Sequence, residues 1–206
     1  GLIDDVAIWN RALTESELGE LSSSALGDLL GGQEADPVAE GLVAHWPLDV
    51  IQGTKTPDKV NGYDMELTNL SESDVVAGKV GNAFSFSNER QTLLSRVHEA
   101  DEDLPANKHE SYTLSMWVNV VGEGQNDLRI FSEGNTSNSN PLFNMGTHNG
   151  GADGSLDFYL RQSGWDTFGH AYSEQQPFDG TWRHIAFVQT NGARTLYVDG
   201  VADALE

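Results

Sequence analysis

From residue 41 onward, apolar and polar positions alternate with a period of two, interrupted by turn-forming clusters. The runs are LVAHWPL (42–48), YDMEL (63–67), NAFSF (82–86), YTLSMWVNV (112–120), LRIFS (128–132), LFNMG (142–146), SLDFYLRQ (155–162), WRHIAFVQ (182–189) and RTLYVD (194–199). Short strands recurring at close intervals, with Gly, Asn, Asp and Ser between them, specify a sandwich or barrel rather than βαβ units. Asn191-Gly192 sits between two such runs and supplies the two positive-φ residues of a type I′ hairpin. Asp179-Gly180 and Asp199-Gly200 punctuate the same region. In one run Leu156, Phe158 and Leu160 alternate with Asp157, Tyr159 and Arg161, which predicts one buried and one wetted face. HIAFV (184–188) instead offers apolar side chains to both faces, which predicts a central strand covered on each side.

The first forty residues read differently. GLIDDVAIWN (1–10) predicts a strand through Val6, Ile8 and Trp9. A helix start follows. Thr14 and Glu17 have the spacing of a capping box, in which hydroxyl and carboxylate satisfy two orphan N–H groups reciprocally. Leu13 and Leu18 occupy the positions of a hydrophobic staple, and Glu15 and Glu17 favour the positive end of the helix dipole. Gly19 weakens the interior, so a helix of about two turns is expected over 14–21. Residues 22–40 have the small, acidic, Gly- and Pro-containing composition of a linker, although Leu26, Leu29 and Leu30 argue against disorder throughout. The organisation expected is a strand and helix over 1–21, a linker over 22–40 and a β domain over 41–206.

Composition narrows the function. Hydrophobic residues make up 38% of the 206, enough for a core, and the longest apolar stretches are far too short to span a bilayer. With no cysteine there can be no disulfide framework, thiolate metal site or cysteine nucleophile. Asp and Glu outnumber Lys and Arg 32 to 11, a net charge of −21 that repels nucleic acid and anionic membrane alike. Such a surface keeps a protein soluble and attracts cations, Ca²⁺ above all.

Several segments together resemble laminin-G-like, concanavalin A-like jelly rolls, which are related to pentraxins. DGTWRHIAFVQTNGARTLYVDGVA (179–202) is similar to the paired-strand signature of that family. GKVGNAFSF (78–86) and SYTLSMWVNV (111–120) are similar to two earlier strands, in the family's order. GLVAHWPLD with NGYD (41–49, 61–64) resembles its first strand and loop, and GLIDDVAIWNRALTESEL (1–18) its last strand and closing helix. The resemblance implies an all-β antiparallel jelly-roll β-sandwich with one short helix near the N-terminus. It also implies that the first and last strands lie side by side. By that analogy a further strand and loop belong between the 182–199 hairpin and the closing segment, so 41–206 reads as a jelly roll lacking its last strands. Residues 1–21 then finish an upstream copy, or dock back in cis as a circular permutation, or are donated to a neighbouring subunit by strand addition. An unfilled slot would leave backbone groups unpaired, an aggregation hazard.

Candidate chemistry follows from the same residues. A glycosidase needs two carboxylates facing the sugar from a rigid surface. The nearest approach, Glu99-Ala-Asp101-Glu-Asp103, superficially resembles the Glu-x-Asp-x-Glu of the glucanase branch. It ends in Asp, however, and its flanks lack strand alternation, so it reads as an acidic surface loop. His45, His98, His109, His148, His170 and His184 are scattered without a zincin motif, and no hydrolase elbow or phosphate loop is present. The chain is therefore expected not to be an enzyme.

For Ca²⁺, the resemblance implies a structural ion beside the first and last strands. Asp4 or Asp5 and Asp49 are carried over as ligands, with Asn140 at a second, pentraxin-like position where Ser139 replaces an expected acid. The alternative is that these are turn and strand-end residues bonded to backbone. For carbohydrate, SGWDTFGHAY (163–172) puts Trp165, Phe168, His170 and Tyr172 in one Gly-flanked stretch, supported by Asp166 and Arg161. An exposed ring there can stack on a sugar, or the aromatics can cover the edge of the core. Trp9, Trp46, Trp117 and Trp182 lie in strand-like runs and are assigned to the core. Together these readings point to an extracellular or surface-displayed adhesion or structural module, with neighbouring copies of itself as partners through strand complementation. A polysaccharide-binding module is the alternative. The extracellular expectation comes from the resemblance, because the chain shows no signal-peptide pattern.

Overall fold

A computed structural model of the chain describes residues 1–31, 37–134, 141–151, 153–161 and 167–204. The alternating runs become strands, in chain order β1 (Leu2–Trp9), β2 (Leu42–Trp46), β3 (Lys55–Thr56), β4 (Met65–Thr68) and β5 (Val75–Ala77). There follow β6 (Asn82–Ser85), β7 (Leu93–Ser95), β8 (Ser111–Val121), β9 (Arg129–Glu133) and β10 (Leu142–Thr147). The last are β11 (Leu156–Arg161), β12 (Thr167–Tyr172), β13 (Asp179–Thr190), β14 (Ala193–Val198) and β15 (Val201–Asp203). Helices α1 (Glu15–Leu21) and α2 (Leu26–Leu30) lie between β1 and β2. The large sheet runs β15-β14-β13-β8-β1-β6-β5, with β2 also paired to β1. The opposing layer consists of two separate sheets, β12-β11-β10-β9 and β3-β4-β7. All pairings between strands are antiparallel, as the jelly-roll reading requires.

The apolar pattern of β13 places it at the centre. Ile185 and Phe187 enter the core between the layers, where Phe187 lies 4.8 Å from Phe143 and 5.3 Å from Phe158, centroid to centroid. Ala186 and Val188 point the other way, into a second cluster with Trp9, Leu18, Leu26 and Tyr197. Both faces of HIAFV are thus covered, one by a sheet and the other by helices. The turns after it follow their residues: Asn191 and Gly192 have φ of 48° and 87°, and Asp199 and Gly200 of 50° and 77°. Asn, Asp and Gly tolerate this left-handed region best.

The opening strand is an interior one. β1 pairs with β8 on one side and with β2 and β6 on the other, all within the same chain. Val6 and Ile8 join the inter-layer core, while Ala7 and Trp9 join the cluster beneath the helices, where the Trp9 indole N–H donates to the Val38 carbonyl at 2.7 Å.

α1 starts as its cap dictates. The Glu17 amide donates to Thr14 Oγ1 at 3.3 Å, and the Thr14 amide to Glu17 Oε2 at 2.7 Å. Arg11 grips the same carboxylate at 2.5 Å and holds its pKa down at about 2. Residues 22–40, linker-like in composition, instead carry α2 and a short turn at Pro37–Ala39, and both pack on the large sheet. Leu26 and Val38 are buried there, supplying apolar surface that the outer face of β1 and β13 requires.

Two details depart from the alternation. Asp157 and Arg161, expected on a wetted face, are buried. For Asp157 the cause is β12, part of the Gly-flanked aromatic stretch, which pairs along β11 and lays His170 and Tyr172 beside it. β3, β5, β7 and β15 are strands of two or three residues, too short for a periodicity to show.

Candidate functional site

The outward face of β10, β11 and β12 gathers the most chemistry. Antiparallel register sets Asn144, Tyr159 and His170 directly across from one another, and in the next row Gly146, Asp157 and Tyr172. Directly opposed residues share a face, so these side chains meet above the sheet. Tyr172 stacks on His148 at 4.3 Å and 17°, and lies nearly parallel to His170 at 6.2 Å. His170 in turn lies 4.9 Å from Tyr159. The result is a row of four rings across three elements, with His170 exposed and the others half-buried.

Polar contacts fix the row. His170 Nδ1 is 2.9 Å from both oxygens of Asp157 and donates to that buried carboxylate. With Nδ1 donating, a neutral His170 keeps its lone pair at Nε2. Tyr172 donates its hydroxyl to Asn149 Oδ1 at 2.9 Å. Burial, and then the nearby Asp157 carboxylate, raise the Tyr172 phenol above its usual pKa, so it remains a neutral donor. Behind it, Ser132 Oγ donates to the buried Asn144 at 2.7 Å. Rings stacked or tilted against one another, and tied to amide and carboxylate groups by hydrogen bonds, form an aromatic row with polar handles.

Of the residues predicted for carbohydrate, His170, Tyr172 and Arg161 fall on the β11–β12 pair, while Trp165 and Asp166 lie outside the described residues. Asp157, Tyr159 and His148 belong to the platform and were not predicted. The signal for the first two was present in β11, whose non-core positions carry an acid and an aromatic two residues apart. Glu99, Asp101 and Asp103 lie on an exposed turn, not on a strand.

Of the positions predicted for Ca²⁺, Asp4 and Asp49 flank one turn and Asp5 lies against His45. Asp4 is 0% exposed, and its Oδ2 accepts from the amides of Lys79 and Val80 at 2.8 Å. Asp49 Oδ1 accepts from the Asn82 amide at 2.8 Å on the far side of the same turn. Gly78 and Gly81 let the two acids close on it, because a Cβ at either position would collide with a carboxylate oxygen. Asp5, at a bulge with φ of 52°, faces His45 Nε2 at 2.5 Å and accepts from the Leu26 amide at 3.3 Å. Asn140 lies outside the described residues. Ca²⁺ needs six to eight oxygens in one shell. Here Asp4 and Asp49 accept from the N–H groups of one turn while Asp5 faces His45, and no three acidic or histidine side chains come together among the described residues. Among the described residues these side chains do not make up a full Ca²⁺ shell. Asp4 Oδ1 is buried without a partner, and burial raises this carboxyl to a pKa of about 7, so a proton occupies it below neutrality.

The chain is similar to a solved S-layer domain-containing protein from Clostridium thermocellum, at 18% identity and a TM-score of 0.41, over 79% of this chain and 71% of that one. No curated protein matches the chain. Residues 96–205, more than half of the chain, match the Laminin_G_3 profile, described as the concanavalin A-like lectin/glucanases superfamily. On that match, carried by two layers of antiparallel sheet, the chain belongs to the concanavalin A-like lectin/glucanase superfamily in its laminin-G-like branch.

Proposed function

We propose that the chain is a non-catalytic recognition module of the cell surface or extracellular space, and that it binds polysaccharide on the outward face of β10–β12. Domains of the laminin-G-like type are typically non-catalytic surface modules, which supports the first half of the reading. The second half rests on one observation: Tyr159, His170, Tyr172 and His148 form a row whose hydroxyl, imidazole and amide groups are already oriented by protein partners. Preorganised rings lose little entropy on binding, and a sugar ring can stack on them while its hydroxyls reach the polar groups. The test is an affinity measurement over a panel of neutral and acidic polysaccharides. Tyr172→Ala and Tyr159→Ala are expected to weaken the best ligand by roughly tenfold or more, the equivalent of one strong contact. Unchanged affinity in both variants sinks the reading.

A second reading, assembly with neighbouring copies by strand addition, is favoured by the interrupted second layer. β1 is not the donor in this arrangement, since it is already paired on both sides.

A further inference from the structure

The layer facing the large sheet stops twice. Among the described residues, one of its sheets ends at β9 and the other at β7, each paired with a strand on one side only. Between them opens a cleft of about 630 Å³, lined by residues of both end strands. Its floor is the inter-layer core itself: Ile3, Val6 and Ile8 of β1 and Val120 of β8. Its walls include Leu94 and Ile130, both only partly buried. A sheet edge presents a row of backbone N–H and C=O groups spaced for another strand. Two such edges facing across one apolar floor have the requirements of an extended peptide: main-chain partners on both sides and a dry surface for every second side chain. An amphipathic small molecule would cover the floor and leave both edges unpaired.

Charge limits what that peptide can be. In a chain with 32 acidic residues against 11 Lys and Arg, the cleft reverses the ratio: Arg96 and Arg129 line it against Glu133, with His98 beside them. Arg96 and Arg129 are held by Glu102 and Asp127, which fixes their direction without filling the cleft.

We propose that the cleft between β7 and β9 is an acceptor site for a β-strand, taking an extended peptide with apolar side chains at alternate positions and acidic flanks. This inference rests on the assembly reading, for which it supplies the acceptor. At a rise of about 3.4 Å per residue, the five residues of β9 call for a partner of similar length.

The test uses the whole chain and a synthetic peptide of about nine residues, alternating valine and threonine with glutamate at each end, long enough to cover β9 and its flanks. The expected result is saturable binding with hydrogen-exchange protection at 93–95 and 129–133. A peptide N-methylated at alternate amides, with the same side chains, is expected to bind roughly tenfold more weakly or worse. Ile130→Arg, checked by circular dichroism for retained fold, is expected to abolish binding. Equal affinity for the N-methylated peptide, or binding of lauric acid in its place without protection of the two edges, overturns the proposal. Sedimentation of the chain alone separates the two claims. Self-association that leaves β7 and β9 unprotected keeps the assembly reading and removes this acceptor, whereas a monomer that binds the peptide keeps the acceptor and removes self-assembly.

Discussion

The two layers of the sandwich solve the same problem differently. The large sheet is continuous through β13, β8 and β1, and it is covered twice, by the opposing layer and by the α1–α2 segment. The opposing layer is interrupted between β7 and β9, and its outward face carries the aromatic row. Stability is concentrated where both faces are dry, leaving the other layer to carry exposed rings and an open edge. Binding surfaces are commonly placed on the less committed part of a rigid scaffold.

Four measurements sharpen this contrast. Trp9→Ala is expected to have the largest effect. It empties a fully buried site and removes the indole hydrogen bond to the Val38 carbonyl, so urea denaturation should show a loss of about 3–5 kcal/mol. Leu93→Ala, on the open β7 and 44% exposed, should cost no more than about 0.5 kcal/mol in the same assay.

The second measurement concerns two buried groups that titrate in opposite senses. Asp4, raised by burial from 3.8 to about 7, keeps a proton in the native chain that the unfolded chain has released, so its contribution falls as pH rises through that range. His184 accepts or donates at Ser115 Oγ across 2.8 Å and is lowered by burial from 6.5 to about 4. It stays neutral in the native chain where the unfolded chain is protonated, so its contribution is lost as pH falls from 6.5 towards 4. Each slope approaches about 1.4 kcal/mol per pH unit, with opposite sign, so the two largely offset one another in the native sequence. Asp4→Asn should therefore make stability, relative to the unsubstituted chain, rise with pH between 4.5 and 6.5. Parallel denaturation curves at every pH would refute this.

Third, Tyr172→Ala should weaken polysaccharide binding while lowering stability by about 1 kcal/mol, because its ring is half-buried on an outward face. A variant that unfolds would place the row in the core's service instead. The smallest effect is expected from EDTA. Since Asp4, Asp5 and Asp49 are each engaged by N–H donors of the protein, chelation should move Tm by less than about 1 °C, well under the several degrees that accompany each kcal/mol.

Much of the scaffold was legible in the residues. The capping box at Thr14 and Glu17, the Asn191-Gly192 hairpin and the doubly apolar HIAFV are local patterns, and each carries its meaning within a few positions. The aromatic platform was half legible. His170 and Tyr172 drew notice through crowding in sequence, but Tyr159 and Asp157 become their partners only through the β11–β12 register. The linker composition of 22–40 concealed Val38, because it is isolated in sequence and joins a cluster only against Trp9 and Tyr197, whereas Leu26 was marked by its neighbours Leu29 and Leu30.

The sequence by itself determined the all-β class, the turn positions and the central place of β13, since alternation and turn chemistry act between near neighbours. Tertiary structure alone decided that β1 lies between β8 and β2 in its own chain. It also decided that Asp4, Asp5 and Asp49 serve three different contacts, and that the second layer is left open between β7 and β9. Such outcomes depend on contacts between residues tens of positions apart. No local periodicity encodes them, because they are settled by which surfaces can be buried together.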